Sequence, residues 1–383
     1  MSVTQLRFGM VGGGNGGNIG NSHRRGAAMD SLAVLSAGCF TRNFEQNKKD
    51  GAAWGVAPDR IYRDYKEMAE AESQREDGID FVSIVTPNFT HYEIAKTFLE
   101  HGIHVSCEKP FTMTVAEAEE LRDLAAAKGL EICLTYTYAH YPVLQQARRM
   151  VADGRLGRLI SVVAEYPQDW LMLEGATDPS NYASWFMNPK KAGMSNATAA
   201  IGVHVWYLIK SMTGQPVDRV LADFAYYPED AALEAASHTL FRLADGTRGL
   251  LWDSITAAGH DCDIGIKIYG EKGSLEWTHC DPIHLRVAMK DGPVEIYSAE
   301  RAYLDPHARA ASRLPAGHPE GFYEAFANIY RAFCTHLLDK KNGVDGGGYF
   351  HPTAQDGVDG MRFVAASVKS YQEGNVWVRL DEV

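Results

Sequence analysis

The chain has 383 residues, 45% of them hydrophobic and 22% charged, with a formal net charge of −12. That length exceeds one ordinary core and predicts two domains, and the acidic balance, with no basic block, argues against nucleic acid as a partner. No apolar run reaches membrane length, no secretory pattern follows Met1, and the cysteines (Cys39, Cys107, Cys133, Cys262, Cys280, Cys334) form no CxxC pair. A reduced, cytoplasmic protein without a disulfide framework or metal site is therefore expected.

Leu6–Val11 reads as a strand and runs directly into VGGGNGGNIG, in which Gly12, Gly14 and Gly17 satisfy G-x-G-x-x-G. Ile19 onward can start a helix. Glycine is needed there for a tight turn, for close approach of the backbone to a pyrophosphate and for packing helix on strand. The loop, with Asn15, Asn18 and Ile19, is a candidate dinucleotide site. A second strand, Val34–Phe40, ends in Thr41-Arg42-Asn43, where an NAD site usually carries an acid for the ribose 2′-hydroxyl. Arg42 could meet a 2′-phosphate, stack on adenine or simply face solvent.

Asp59–Ala71 predicts a turn and helix, and Asp80–Val85 is a continuous apolar strand of the kind buried on both faces of a parallel sheet. It ends in Thr86-Pro87-Asn88, with His91 opening a helix; Thr86 and Asn88 can serve a nucleotide or cap that helix. His104–Pro110, HVSCEKP, places Glu108 and Lys109 at the carboxyl end of the next strand, the edge where open α/β sheets bind ligands. A helix at Thr114–Lys128 and a strand at Glu131–Thr135 complete an α/β Rossmann domain with a doubly wound parallel sheet, assigned to residues 1–141.

Residues 142–383 predict an α+β domain with an open, mostly antiparallel sheet. After a helix at about 142–153, strands are expected at Leu159–Tyr166, Arg219–Tyr227, His238–Leu243, Thr247–Ile255, Asp263–Tyr269 and Gly273–Trp277. Asp245-Gly246 and Glu271-Lys272-Gly273 are hairpin signals. A helix at Thr198–Met212, stopped by Gly214, carries His204, with residue 200 one turn earlier on the same side. Residues 300–320 look irregular. Helices at Gly321–Leu338 and near Asp356–Tyr371 close the chain, the last able to pack back on the first domain.

With GGGNGGNIG, TPN, CEKP and the later glycine-histidine pair in place, the chain resembles the Gfo/Idh/MocA oxidoreductases, relatives of glucose–fructose oxidoreductase and inositol dehydrogenase. The likeness extends over essentially the full length, including PAGHPEGFYEAFANIY. It implies oxidation of a secondary alcohol of a sugar, glycoside or cyclitol, or reduction of the ketone, with NAD or NADP; NAD is preferred. It implies that Lys109 is the catalytic lysine of the EKP motif, that His204 transfers the proton, that Glu108 contacts the nicotinamide ribose and that the Lys109-Pro110 peptide is cis. The chain departs from the pattern at Ala200, where the family usually has aspartate, and at Phe186 and Asn188, where close relatives tend to carry Arg and Asp.

A lysine acts as general base only if its pKa falls from about 10.4 towards neutrality, a shift of roughly 3 units or about 4 kcal/mol. Burial beside a positively charged nicotinamide pushes that way, and His204 can pass the proton to water. Tyr138, Trp170, Trp185, His260 and His318 are candidates for the sugar pocket, aromatic planes stacking on the ring and imidazoles bonding hydroxyls. The C-terminal sheet is expected to pair copies as a homodimer or homotetramer. Two other readings stay open: an enzyme that retains NAD and uses transient oxidation for glycoside cleavage or internal redox exchange, and a dinucleotide-binding protein impaired in catalysis by Ala200.

Overall fold

The computed structural model describes residues 3–14, 16–176, 178 and 182–383, with side chains for all of these except 18 and 182–184. The chain divides into two compact units. Unit 1 takes Met1–Thr112, Ala116–Thr135 and Phe326–Val358, and unit 2 takes Met113–Val115, Tyr136–Ala325 and Asp359–Val383.

Unit 1 alternates strand and helix: β1 (Leu6–Gly12), α1 (Asn18–Ala28), β2 (Ala33–Cys39), α2 (Phe44–Ala53), α3 (Tyr65–Ser73), β3 (Phe81–Val85), α4 (His91–Glu100), β4 (His104–Cys107), α5 (Val115–Lys128) and β5 (Ile132–Leu134). The strands pair in parallel in the order β2-β1-β3-β4-β5. The order reverses direction between β1 and β3, and the carboxyl ends at such a switch point form a crevice for ligands. β3 is buried throughout, as its unbroken apolar run requires. Helix α2 has no sequence counterpart above because FEQNKKDGAA is polar and contains a glycine; it is started by Asn43, whose side chain accepts from the Glu45 and Gln46 amides.

Unit 2 begins with α6 (Pro142–Ala152) and β6 (Leu159–Pro167), continues through α7 (Pro189–Ala192) and α8 (Val203–Thr213), then lays down β7 (Val217–Ala225), β8 (Ala236–Leu243), β9 (Arg248–Ser254), β10 (Gly265–Gly270), β11 (Gly273–Thr278), β12 (His284–Met289) and β13 (Val294–Ser298), followed by α9 (Pro306–Ala310). The chain closes with α10 (Phe322–Asn342), α11 (Ala354–Gln372) and β14 (Val378–Arg379). The nine strands run in the order β13-β12-β11-β10-β6-β9-β8-β7-β14. All neighbours are antiparallel except β6 and β9, which are parallel. Burial alternates along β8, leaving one face on the core and one outside. β12 and β13 extend the expected sheet around a Lys290-Asp291-Gly292 turn in which Asp291 takes φ 61.

The structure corrects one helix. Thr198–Gly202 is a π-turn, and the α-helix begins only at Val203. Single π-turns of this kind gather at functional sites. In unit 1 the returning part of α10 buries Phe326, Tyr330 and Phe333, with Phe333 edge-on to Phe81 at 5.4 Å.

Candidate active site

The glycine loop leaves β1 through Gly12, whose φ of +85 and tight approach to Val85 bar a side chain. Helix–strand contact is made at Gly20, where a Cβ would run into the Gly13 carbonyl. That role is usually given to the last glycine of the motif, here Gly17, whose own surroundings are roomier. Gly14 is needed for a different reason from the expected one: a Cβ there would meet the Asp50 carboxylate, Phe40 and Thr41 at 2.6–2.8 Å, all groups of the chain itself. Asn15 lies outside the described residues. Asn18 and Ile19 open α1, whose cap residue, Gly17, supplies no side-chain hydrogen bond and whose first turn holds no acid. The first-turn amides are thus left for an anion.

At the end of β2, Thr41 is fixed by Asn47, whose Oδ1 accepts from the Thr41 amide at 2.6 Å and hydroxyl at 2.9 Å. Arg42 is exposed and makes no ion pair among the described residues. After β3, the Thr90 hydroxyl donates to Thr86 Oγ1 and to the Pro87 carbonyl, and Asn88 is buried; neither Thr86 nor Asn88 caps a helix through its side chain. His91 is fully buried, with Nε2 2.8 Å from the Thr86 carbonyl and Nδ1 2.9 Å from the Pro110 carbonyl. Burial pushes its pKa down against those two carbonyls. His91 thus joins the turn after β3 to the turn after β4, at the sheet edge where it was expected beside the nucleotide.

Glu108 and Lys109 follow β4, and the Lys109-Pro110 peptide is cis. The Glu108 carboxylate is buried and turned onto unit 1's own groups: His23 Nε2 stands at 2.9 Å and the Thr135 hydroxyl donates at 2.6 Å, both to Oε1. His23 Nδ1 lies 2.6 Å from the Tyr330 hydroxyl, which Ser83 at 2.7 Å and Ser106 at 3.2 Å also meet. The two serines, Tyr330, His23 and Glu108 thus form one connected chain of hydrogen-bonding groups. Burial alone would raise the Glu108 pKa, but the His23 hydrogen bond and charge, then Lys109 and Thr135, bring it down to about 2. Lys109 is half-buried; burial lowers its pKa and the Glu108 charge partly opposes the fall. Sequence reasoning missed His23, Tyr330 and Thr135. Thr135 could have been found, since it ends a strand at the same sheet edge, whereas nothing in α1 or α10 marks the other two.

In unit 2, His204 is buried on the first turn of α8 within a cage of tyrosines. The Tyr138 ring meets it edge-on at 5.0 Å, Tyr136 at 6.0 Å and Tyr166 at 6.3 Å. The Tyr138 and Tyr166 hydroxyls are 2.6 Å apart, and Cys262 Sγ lies 3.2 Å and 2.8 Å from them. Tyr166 and Cys262 are additions to the expected set. Ala200 is buried inside the π-turn, all of whose residues are buried. Gly202 leaves room for Asp253 of β9, whose Oδ2 would lie 2.8 Å from a Cβ there. Asp253 is wholly buried, and burial, then the Glu234 charge, hold its pKa far above the carboxylate range.

The other aromatic candidates form a second group. Trp185 stacks on Phe186 at 3.8 Å, and Trp170 reaches Phe186 at 5.9 Å. Asn188 caps α7 by accepting from the Lys190 amide at 3.0 Å. His260 Nδ1 is held by Asp263 at 2.5 Å. His318 is exposed, and its Nδ1 lies 3.1 Å from the Pro315 carbonyl.

Residues 6–136 match the model of an oxidoreductase family with an NAD-binding Rossmann fold, and residues 144–276 match the GFO/IDH/MocA C-terminal domain. The chain belongs to the Gfo/Idh/MocA oxidoreductase family. An uncharacterized oxidoreductase of Bacillus subtilis, YfiI, is 35% identical over 379 residues, 97% of this chain and 96% of its own. The crystal structure of an inositol dehydrogenase homolog from Azotobacter vinelandii with NAD+ superposes with a TM-score of 0.94 at 36% identity, covering 99% of this chain and 98% of that one. The same homolog with NADH and myo-inositol gives 0.91 at 35% identity, with the same coverage. As a Gfo/Idh/MocA member the chain is an NAD-binding oxidoreductase. Its own residues fit that cofactor: a first helix turn without an acid or a side-chain cap leaves its amides for a pyrophosphate. No described helix is long and apolar enough to cross a membrane.

Proposed function

We propose that the protein is an NAD-dependent dehydrogenase acting on a secondary hydroxyl of a cyclitol, sugar or glycoside, with Lys109 and His204 moving the proton. The observation that carries this reading is Lys109, half-buried at the carboxyl end of β4 with its pKa lowered by burial. NAD, when bound, takes the hydride from the carbinol carbon. Lys109 in its neutral form takes the hydroxyl proton, and Glu108, ionised beside it, limits how far its pKa falls. His204, within the tyrosine cage, then receives that proton from Lys109 and passes it to water. The substrate class is supported by the Azotobacter homolog crystallised with NADH and myo-inositol.

In this reading unit 1 is the dinucleotide domain. Gly12, Gly14, Asn15, Gly17, Asn18 and Ile19 receive the pyrophosphate, Thr41 and Arg42 the adenosine, and Thr86, Pro87 and Asn88 the nicotinamide side. Unit 2 binds substrate through Tyr138 and His204, with Trp170, Trp185, His260 and His318 as further contacts. Leu240 and Leu250, paired across β8 and β9 and exposed on the outer face, support dimer or tetramer formation through the sheet. The cysteines, all free, suit the cytoplasm. The test is reduced-nicotinamide absorbance with a panel of cyclitols, sugars and glycosides, each offered NAD and NADP. Turnover of a cyclitol or sugar with NAD is expected; bound nucleotide without turnover of any polyol would replace this reading with that of a sensor.

A further inference from the structure

Of the tyrosines around His204, the one whose ring comes nearest sits on neither a strand nor a long helix. Tyr138 belongs to a single 3₁₀ turn, Thr137–His140, between β5 and α6. Hydrogen-bond geometry in such a turn is poor, so its side chains depend on what they touch. Tyr138 is nonetheless buried, its ring edge-on to His204 at 5.0 Å, to Tyr166 at 5.3 Å and to His279 at 5.2 Å. Edge-to-face pairs at these separations are favourable but do not by themselves fix a ring's depth.

The Tyr138 hydroxyl is held by the sheet. Tyr166 lies near the end of β6 and Cys262 just before β10, two strands that pair directly; the Asp263 amide donates to the Pro167 carbonyl at 3.3 Å. The three polar tips close a triangle. The Tyr138 and Tyr166 hydroxyls are 2.6 Å apart, with Cys262 Sγ 2.8 Å from Tyr166 and 3.2 Å from Tyr138. Each corner carries one proton, so three protons serve three contacts and all can be made together. Gln168 Nε2 donates to the Tyr166 hydroxyl at 3.1 Å, and Gln168 is itself fixed, its amide on the Ser254 carbonyl and its carbonyl on the Ala257 amide. Among the described residues the Cys262 thiol bonds only to these two tyrosines and, at 3.9 Å, to Gln168. Whatever it does to His204 passes through them.

We propose that Cys262 and Tyr166 are positioning residues for the reaction: by holding the Tyr138 hydroxyl they keep its ring against His204 and fix where the imidazole takes its proton. The proposal rests on the role given to His204 above. It explains why a thiol and two hydroxyls are gathered at a buried point beside the imidazole, where apolar side chains would pack without needing partners. Misplacement by about 1 Å can cost a reaction up to about a hundredfold, so a hold on Tyr138 matters to rate as well as to packing.

Steady-state oxidation of the best polyol with NAD tests this, in the wild-type and His204→Ala backgrounds. Cys262→Val removes the thiol's bonds and keeps its bulk; Tyr166→Phe removes a hydroxyl and keeps the ring. In the wild-type background each is expected to lower kcat roughly ten- to a hundredfold with KM for NAD unchanged, and Cys262→Ser to restore most of the loss. In the His204→Ala background neither should lower kcat further, because residues that act as one unit are not additive. Equal losses in both backgrounds would make the triangle a matter of structure alone and overturn the proposal. So would wild-type kcat in both Cys262→Val and Tyr166→Phe. Thermal unfolding accompanies the kinetics, and if Cys262→Val does not fold, Tyr166→Phe decides. Loss at His204 without loss at Cys262 or Tyr166 overturns this proposal alone, whereas His204→Ala with wild-type turnover removes His204 from the mechanism and the proposal with it.

Discussion

His23 Nε2 stands 2.9 Å from Glu108 Oε1, both side chains buried, so helix α1 is tied directly to the strand end that carries Lys109. His23→Leu would leave the carboxylate buried without that donor, and breaking a buried pair from one side costs about 3–5 kcal/mol. Tyr330→Phe removes only a neutral member of the chain of donors and should cost about 1 kcal/mol. Urea unfolding of the two variants should therefore separate them clearly. Equal losses would mean that His23 does not hold a charged Glu108.

The ionised state of Glu108 makes a second prediction. Its pKa of about 2 lies below the ordinary 4.5, so its contribution to stability is complete above pH 4.5 and is lost as the pH falls towards 2. The difference corresponds to up to about 3 kcal/mol at 1.36 kcal/mol per unit. In Glu108→Gln the fall of Tm between pH 4.5 and 2 should be shallower. The same change removes the charge that raises the Lys109 pKa, so the acidic limb of the kcat/KM profile for alcohol oxidation should move to lower pH. A limb that moved up would put Lys109 outside the rate law.

Lys109→Ala should lower kcat by about 10²–10⁴ while NAD still binds, since proton transfer by a positioned side chain accounts for a factor of that size. Calorimetric NAD titration beside steady-state kinetics checks both halves. Near wild-type turnover would remove Lys109 from the mechanism.

Gly14→Val should lose stability and NAD affinity together. The valine would meet Asp50, Phe40 and Thr41 before any ligand arrives. Gly17→Ala, with its nearest neighbours at 3.4 Å or beyond, should leave Tm almost unchanged. A Gly14→Val chain that melts like the wild type would return the clash to the pyrophosphate.

The division between what the sequence made legible and what it did not follows the range of the interactions. Strand and helix alternation, the β1 loop and the placement of Lys109 depend on periodicity and on residues a few positions apart, and these could be read. The π-turn could not, because its setting includes Asp253, which meets Gly202 from a strand about fifty residues on. The His23 partner of Glu108, and Tyr330 behind it, were hidden for the same reason: they lie 85 and 222 positions from Glu108, on helices whose apolar faces look ordinary.

Ala200 bears on what the pocket is for. If the alanine were a plain loss of a family aspartate, restoring the carboxylate should raise kcat. Three features of the site argue against that outcome. The residue is buried, its amide donates to the Asn196 carbonyl at 2.7 Å, and it sits in a π-turn all of whose residues are buried. Asp253 and Glu234, both buried, already place two carboxyl groups against this turn, Asp253 beside Gly202 and Glu234 on the Asn196 and Thr198 amides. A third carboxylate would be desolvated beside them, at a cost of several kcal/mol or by taking up a proton. Phe186, moreover, stacks on Trp185, so the altered neighbour is built into an aromatic wall. Ala200→Asp is therefore expected to lower both Tm and kcat on the natural substrate, with NAD affinity unchanged, and Ala200→Ser to be tolerated. A severalfold gain in kcat from Ala200→Asp would show instead that the site is a damaged version of the family's usual one.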